Sequence, residues 1–286
     1  MTAECGYKRA QVLYEESLAR YRELGDRRGI SSLLNDLGTL ARDRGDWGRA
    51  MTLHEESLAS RQAIGDRSGI AHSLRNLGLV AHLQGNYEWG ATRLAEALNL
   101  FREQGDMLGV ADSLNDLGLL PPMRADNARA EALFEEALAL YRDLGDEMGV
   151  SWSLNNLGLA AYDRGDYKRA EALHKESLAL RRALGAQSGT GISLLDLGNA
   201  LLAQGDRDRS AQAYRESLAL LHDVGDRALV AFCLEGLARA AVSQGQPERA
   251  VRLCAAAYAL RQALDALLPP PTAPFTSAIC RRHARH

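Results

Sequence analysis

Leucines three and four residues apart set the first pattern along this chain. Leu34, Leu37 and Gly38 return as Leu74, Leu77 and Gly78, as Leu154, Leu157 and Gly158, and as Leu194, Leu197 and Gly198. That spacing puts them on one stripe of a helix. A second kind of stretch carries a small residue at Ala50, Ala130, Ala170 and Ala250. Tyr14, His54, Phe134, His174 and Tyr214 hold the position four residues on, and Leu18, Leu58, Leu98, Leu138, Leu178 and Leu218 the one four beyond that. Punctuation separates the stretches. Leu24-Gly25-Asp26, Ile64-Gly65-Asp66, Gln104-Gly105-Asp106, Leu144-Gly145-Asp146, Leu184-Gly185-Ala186 and Val224-Gly225-Asp226 recur every 40 residues. Gly45-Asp46, Gly85-Asn86, Gly165-Asp166 and Gly205-Asp206 fall halfway between them. Gly suits the left-handed residue just past a helix, and Asp caps the next one. Each interval holds a helix of roughly 17 residues, about 25 Å at 1.5 Å per residue. The pattern predicts antiparallel helix pairs. Gly in mid-helix costs about 1 kcal/mol against Ala, so its recurrence predicts close helix approach at that column.

The pattern breaks in three places. Tyr7-Lys8-Arg9-Ala10 matches Tyr167-Lys168-Arg169-Ala170, the start of a second helix, without the first helix before it. A terminal repeat needs a polar outer face, whereas the helix around Val12, Leu13, Leu18 and Leu24 should keep an apolar side uncovered, a surface for self-association. The start reads as that of a fragment or of a misassigned first codon; an orphan helix capped by its own polar residues is the alternative. Pro121-Pro122 stands where another repeat has Ala161-Tyr162. Proline inside a helix costs about 3 kcal/mol, so the first helix of that repeat is expected to end or kink near Leu119. After Leu264, Leu268-Pro269-Pro270-Pro271 ends the periodicity, and Thr272 to His286 is expected to be disordered, a truncated or frameshifted end. The expected organisation is an extension at 1–6, a repeat array at 7–264 and a tail at 265–286. The array divides into a half repeat at about 7–24 and helix pairs at about 27–64, 67–104, 107–144, 147–184, 187–224 and 227–264.

Composition agrees with an all-α fold. Of 286 residues, 46% are apolar and only 6% aromatic, and strong helix formers outnumber β-branched residues. A formal net charge of −3 argues against nucleic acid or an anionic membrane as partner. No apolar run reaches the roughly 18 residues of a spanning helix, and Met1 to Ala10 lacks the apolar core of a signal peptide. Cys5, Cys233, Cys254 and Cys280 are scattered, as reduced thiols of a cytoplasmic protein would be.

Leu-Gly, then Ala twelve residues after the Gly, then a large residue four later, resembles the tetratricopeptide repeat pattern. Ala50 and His54 after Gly38 fit it, as do Ala170 and His174 after Gly158. The family's closing proline is missing, with Gln62 and Arg142 at its place, and each repeat has six extra residues, around Gly65 to Ile70 for example. The chain is therefore similar to the 40-residue variants of kinesin-light-chain-like and spindle-adaptor-like proteins. It also resembles the C-terminal arrays of bacterial signal-transduction ATPases and transcriptional regulators. The resemblance covers about residues 7 to 264. It implies an α-solenoid, a right-handed superhelix of six helix pairs plus an N-terminal orphan helix. In function it implies only a generic binding scaffold.

Chemistry is absent from the motifs. No GxxxxGK[ST] loop, GxSxG elbow or HExxH pair occurs. Gly189-Thr190-Gly191 begins like a dinucleotide fingerprint, but Leu194 stands where the third Gly belongs. His54 and His174 fall on core-facing positions. Neither cofactor nor metal is expected, and no residue supports an enzyme.

The resemblance implies an inner, concave face lined by the first helix of each pair, at two positions just before the Leu-Gly. These are Asn35-Asp36, Arg75-Asn76, Asn115-Asp116, Asn155-Asn156 and Leu195-Asp196. The ladder Asp36, Asn76, Asp116, Asn156 and Asp196 would offer hydrogen-bonding groups to a peptide backbone; the alternative is that it only solvates a helix face. Trp152, Tyr162 and Phe232 join the candidate face, with His72 and His82. Trp152 suits either an anchor or the core. Groove charges are Asp112, Asp116, Asp163 and Asp196, with Arg42, Arg75 and Arg239 nearer the ends. The family's carboxylate clamps set Lys and Arg beside Asn, and the central basic partners are missing here. The expected function is binding of a protein or extended peptide segment, as a sensing or scaffolding arm in bacterial regulation. The alternative is the C-terminal piece of a larger regulatory ATPase or transcriptional regulator.

Overall fold

The computed structural model of the chain describes residues 3–121 and 126–263. Pro122 and the tail from Leu264 onward lie outside them, as do the side chain of Cys5 and all of Cys280. Thirteen helices and no strand are found among the described residues. Backbone contacts divide the chain into two compact units, Met1–Asp146 and Glu147–His286.

The N-terminal unit runs α1 (Ala3–Leu24), α2 (Arg27–Asp43), α3 (Trp47–Ile64), α4 (Arg67–Leu83), α5 (Tyr87–Gln104), α6 (Met107–Leu119) and α7 (Asn127–Leu144). The C-terminal unit runs α8 (Glu147–Asp163), α9 (Tyr167–Ala183), α10 (Gln187–Ala203), α11 (Arg207–Asp223), α12 (Arg227–Ser243) and α13 (Pro247–Ala263). Within each unit successive helices pack on one another. The even-numbered helices also touch each other, α2 on α4 and α4 on α6, then α8 on α10 and α10 on α12. They form the inner rank, and the odd-numbered helices back them. α6 ends at Leu119, as the prolines after Leu120 require.

The boundaries follow the punctuation. Gly65 closes α3 in the left-handed conformation, φ 69°, which costs a residue without a Cβ nothing. Most N-caps are Asp. Asp26 accepts from the amides of Arg28 and Gly29, and Asp226 from that of Leu229. Ala186 breaks this rule: it caps α10 at φ −78°, ψ 81° and provides no side-chain bond. Asp226 has almost the same backbone, φ −79°, ψ 82°. Ala186→Asp should therefore stabilise the chain by about 0.5–1 kcal/mol. Denaturant unfolding checks it, and a midpoint that does not rise would mean α10 is held by packing alone.

The mid-helix glycines are packing sites. A Cβ built on Gly38 would meet the His54 ring at 2.7 Å, and one on Gly158 the His174 ring at 2.5 Å. Gly118 faces Phe134 in the same way, Gly198 faces Tyr214, and Gly78 faces Leu94. The large residue predicted on the second helix thus enters the gap left by the missing side chain on the first. His54, Leu94, Phe134, His174 and Tyr214 are all fully buried there.

Candidate functional site

A buried polar seam runs through each unit and ends at the inner rank. In the C-terminal unit it begins at Arg181 on α9, which is 4% exposed. Its Nη1 donates to the carbonyl of Gly189 at 2.8 Å and to Ser193 Oγ at 3.0 Å. Ser193 Oγ donates to Asn155 Oδ1 at 3.1 Å, and His174 Nδ1 reaches the same oxygen at 3.3 Å. Asn155 Nδ2 then donates to Asp196 Oδ2 at 2.9 Å. Because the Asn155 oxygen accepts on one side, its nitrogen must face the carboxylate. Burial lowers the pKa of both Arg181 and His174.

The N-terminal unit repeats the seam 120 residues earlier, with differences. Arg61 Nη1 donates to the Gly69 carbonyl at 2.6 Å and to Ser73 Oγ at 3.0 Å. His54 finds no hydrogen-bond partner for either ring nitrogen among the described residues. Burial, reinforced by Arg42 and Arg61, pushes its pKa down to about 4.

The inner ladder is cross-linked. Asn76 Nδ2 donates to Asn35 Oδ1 at 2.8 Å, Arg75 Nε to Asp116 Oδ2 at 2.6 Å, and Asn155 to Asp196. In each rung the first member of one adjacent pair reaches the second member of the next pair, 41 residues away. Arg75 also pairs with Asp112 through Nη1 at 2.8 Å, and Tyr141 donates its hydroxyl to Asp112. Burial works against the Arg75 charge, yet the two carboxylates outweigh it and raise its pKa.

These bonds correct the expected groove. Asn115 and Asn155 are 5% and 4% exposed and lie inside the repeat, not on its face. Arg75 is neutralised by two aspartates and does not stand alone. Asn35, Asp36, Asn76, Asp116, Asn156 and Asp196 are half-buried at the inner rank. Asn35, Asn76 and Asp116 spend hydrogen bonds on one another's helices. The sequence carried a signal for this: Arg with Asp, Asn with Asn and Asn with Asp stand 41 residues apart in turn.

The aromatic candidates separate clearly. Trp152 is 44% exposed and so is not core. Phe232 is 37% exposed, with the Arg261 guanidinium 4.5 Å from its ring centre. Arg261 is itself held by both oxygens of Glu235. Tyr162 is half-buried and leans on Tyr167 at 5.3 Å. Trp152, Ile192 and Phe232 share one register on α8, α10 and α12. They form an apolar column on the inner rank of the C-terminal unit. Two turns on, Arg239 bonds Asn199 and, at 3.2 Å, the Tyr214 hydroxyl.

No helix among the described residues is long and apolar enough to cross a membrane. Cys233 and Cys254 are buried and form no disulfide among the described residues, and burial pushes the Cys233 thiol up to about 11.

A family model described as tetratricopeptide repeat matches residues 3–63, 69–143, 123–183 and 149–223, and a second of the same description matches 231–256. The chain belongs to the tetratricopeptide repeat family. Among curated proteins, none matches the sequence. Solved structures share the fold. BtubC from P. vanneervenii aligns at 23% identity and a TM-score of 0.62, over 78% of this chain and 92% of that one. The Rap conjugation gene regulator of plasmid pLS20, in complex with the Phr* peptide, aligns at 13% identity and 0.64, over 83% and 75%. The signal-transduction ATPase PH0952 from Pyrococcus horikoshii, with its tetratricopeptide repeat sensor, aligns at 15% and 0.64. It is matched over 91% of this chain and 42% of its own.

Proposed function

We propose that this repeat array is a non-catalytic, cytoplasmic scaffold that binds a protein or extended peptide segment, as a sensing or scaffolding arm in bacterial regulation. One observation carries the reading. The column Trp152–Ile192–Phe232 leaves aromatic surface open on the inner rank, at steps set by neighbouring helices about 8–10 Å apart. A half-exposed Trp in a regular array is the type of side chain that anchors a partner. A structural neighbour that holds a peptide supports it, as do the inner-rank candidates Asn156, Asp196 and Tyr162 beside the column. Neither a nucleic acid nor a membrane is part of this reading.

The test is a titration of the segment that a pull-down with the intact array recovers. Trp152→Ala should weaken it about tenfold or more, roughly 1.4 kcal/mol, with helix content unchanged. Lys175→Ala on the outer helix α9 serves as control. Equal losses in the two variants would place the segment elsewhere and reject the inner rank.

The neighbour PH0952 favours a second reading, in which the array is the sensor of a larger regulatory ATPase or transcriptional regulator whose other domains lie outside this chain. A P-loop reading frame directly upstream in the genome would favour it.

A further inference from the structure

We propose that Asp196 is a receptor for a cationic side chain, so that the segment bound by the C-terminal unit carries Arg or Lys next to an apolar residue. This rests on the inner-rank reading above and names the class of its ligand.

The argument comes from comparing the two units at one register. Asp116 and Asp196 occupy equivalent positions 80 residues apart, and so do their rung partners Arg75 and Asn155. In the N-terminal unit the rung is a guanidinium on a carboxylate, Nε to Oδ2 at 2.6 Å. In the C-terminal unit the same rung is a neutral amide on a carboxylate, at 2.9 Å. The geometry of the rung is kept while its positive charge is removed. Asp116 therefore carries an internal cation, and Asp196 carries none in contact. Its hydrogen bond from Asn155 runs to Oδ2 and uses only one of the two carboxylate oxygens.

The surroundings decide what would complete it. Arg181 is an internal cation of the same seam, but it stands behind Ser193 and Asn155 and is already bonded to Gly189, Ser193 and Ser151. Arg239 on α12 is bonded to Asn199 and the Tyr214 hydroxyl. Asn155 cannot turn its oxygen outward, because Ser193 and His174 hold it. The carboxylate is thus fixed in orientation and only partly buried on α10. Asp112, which adds a second acid beside Arg75, has Ile192 as its equivalent, so the C-terminal unit offers one carboxylate beside apolar surface. Trp152 on α8 and Phe232 on α12 share the register of Ile192, one turn before Asp196. A side chain suited to this corner has an aliphatic stem to lie on Trp152 and Ile192 and a cationic end for Asp196, which describes Arg and Lys. An acidic segment would meet like charge there.

Panning a displayed library of random dodecapeptides on the full chain tests this, with recovered peptides synthesised and titrated calorimetrically. Recovered sequences should be enriched in Arg or Lys beside an apolar residue. Asp196→Asn should weaken them about tenfold or more, as expected for a hydrogen bond to a charged group, and added salt should shrink that difference. The substitution should leave the fold intact, since Asn155 can go on donating to a side-chain carbonyl as Asn76 does to Asn35. Asp196→Glu should retain most of the affinity, and Asp196→Arg should turn the selected sequences acidic. Peptides without basic enrichment, or bound equally by Asp196→Asn, would overturn the proposal. The inner-rank reading would survive that result provided Trp152→Ala still weakened them. Recovery of no peptide, or of peptides indifferent to Trp152→Ala, would reject both.

Discussion

Acidification from pH 6.5 to pH 4 is expected to remove about 3 kcal/mol of stability through His54 alone. Its imidazole is fully buried in the cleft opposite Gly38, with neither nitrogen hydrogen-bonded among the described residues. Burial carries its pKa from 6.5 down to about 4, and each pH unit of such a difference is worth about 1.4 kcal/mol. The unfolded chain takes up the proton as pH falls through 6.5, while the folded chain refuses it until about 4. Stability is therefore full above 6.5, declines between 6.5 and 4, and loses nothing further from this group below that. His174 adds in the same direction, because burial lowers its pKa too. Leu94 fills the same register in another repeat and is fully buried, so leucine fits the site. Urea unfolding between pH 7.5 and 4.5 should give a steep loss for the natural chain and a shallower one for His54→Leu. The double variant with His174→Leu should be shallower still. Parallel curves for all three would show that these rings titrate normally in the fold.

Gly158→Leu is expected to destabilise the C-terminal unit by about 3 kcal/mol, at the upper end of overpacking. A Cβ alone would stand 2.5 Å from Cε1 and 2.7 Å from Nδ1 of His174. Leucine adds three more carbons to a cleft whose opposite wall has no exposed edge to move into, since His174 is fully buried. The imidazole cannot swing away without giving up Asn155, and with it the orientation of the Asp196 rung. Calorimetry should show a lower thermal midpoint, and adding His174→Ala to Gly158→Leu should recover part of the loss by opening space. An unchanged midpoint would sink the account of the glycine column as a packing site. No recovery in the double variant would assign the damage to the helix and not to the ring.

Helices, their ends and their pairing were legible because they depend on interactions within one or two turns. A Gly-Asp step at Gly65-Asp66 needs only the local backbone to end α3 and start α4. The leucine stripe needs only a period of 3.6. Even the proline that stops α6 acts on the turn before it. The glycine column was legible for a related reason: a residue poor in helix propensity recurs only where packing requires it.

The inner face was legible only in part. Its positions fall on the even-numbered helices, but two adjacent residues stand about 100° apart on a helix, so the first can turn into the repeat while the second stays at its edge. Asn115 and Asn155 turned inward, and Asp116, Asn156 and Asp196 stayed half-buried beside them. Trp152 illustrates the limit of periodicity. A large apolar side chain at the edge of a buried stripe suits core or surface equally, and only the presence of neighbours decides.

The one-dimensional pattern by itself determined an all-α array of helix pairs with a 40-residue period, because every repeat spells out its own turns and stripe. The tertiary structure alone decided which polar groups are spent inside the protein and which are left over. Arg75, Asn155 and the oxygens of Asp196 look alike in a sequence of exposed-face residues. Their partners stand 41 residues away on another helix. Whether a charge is matched there depends on two helices packing at a fixed distance, which no local preference encodes.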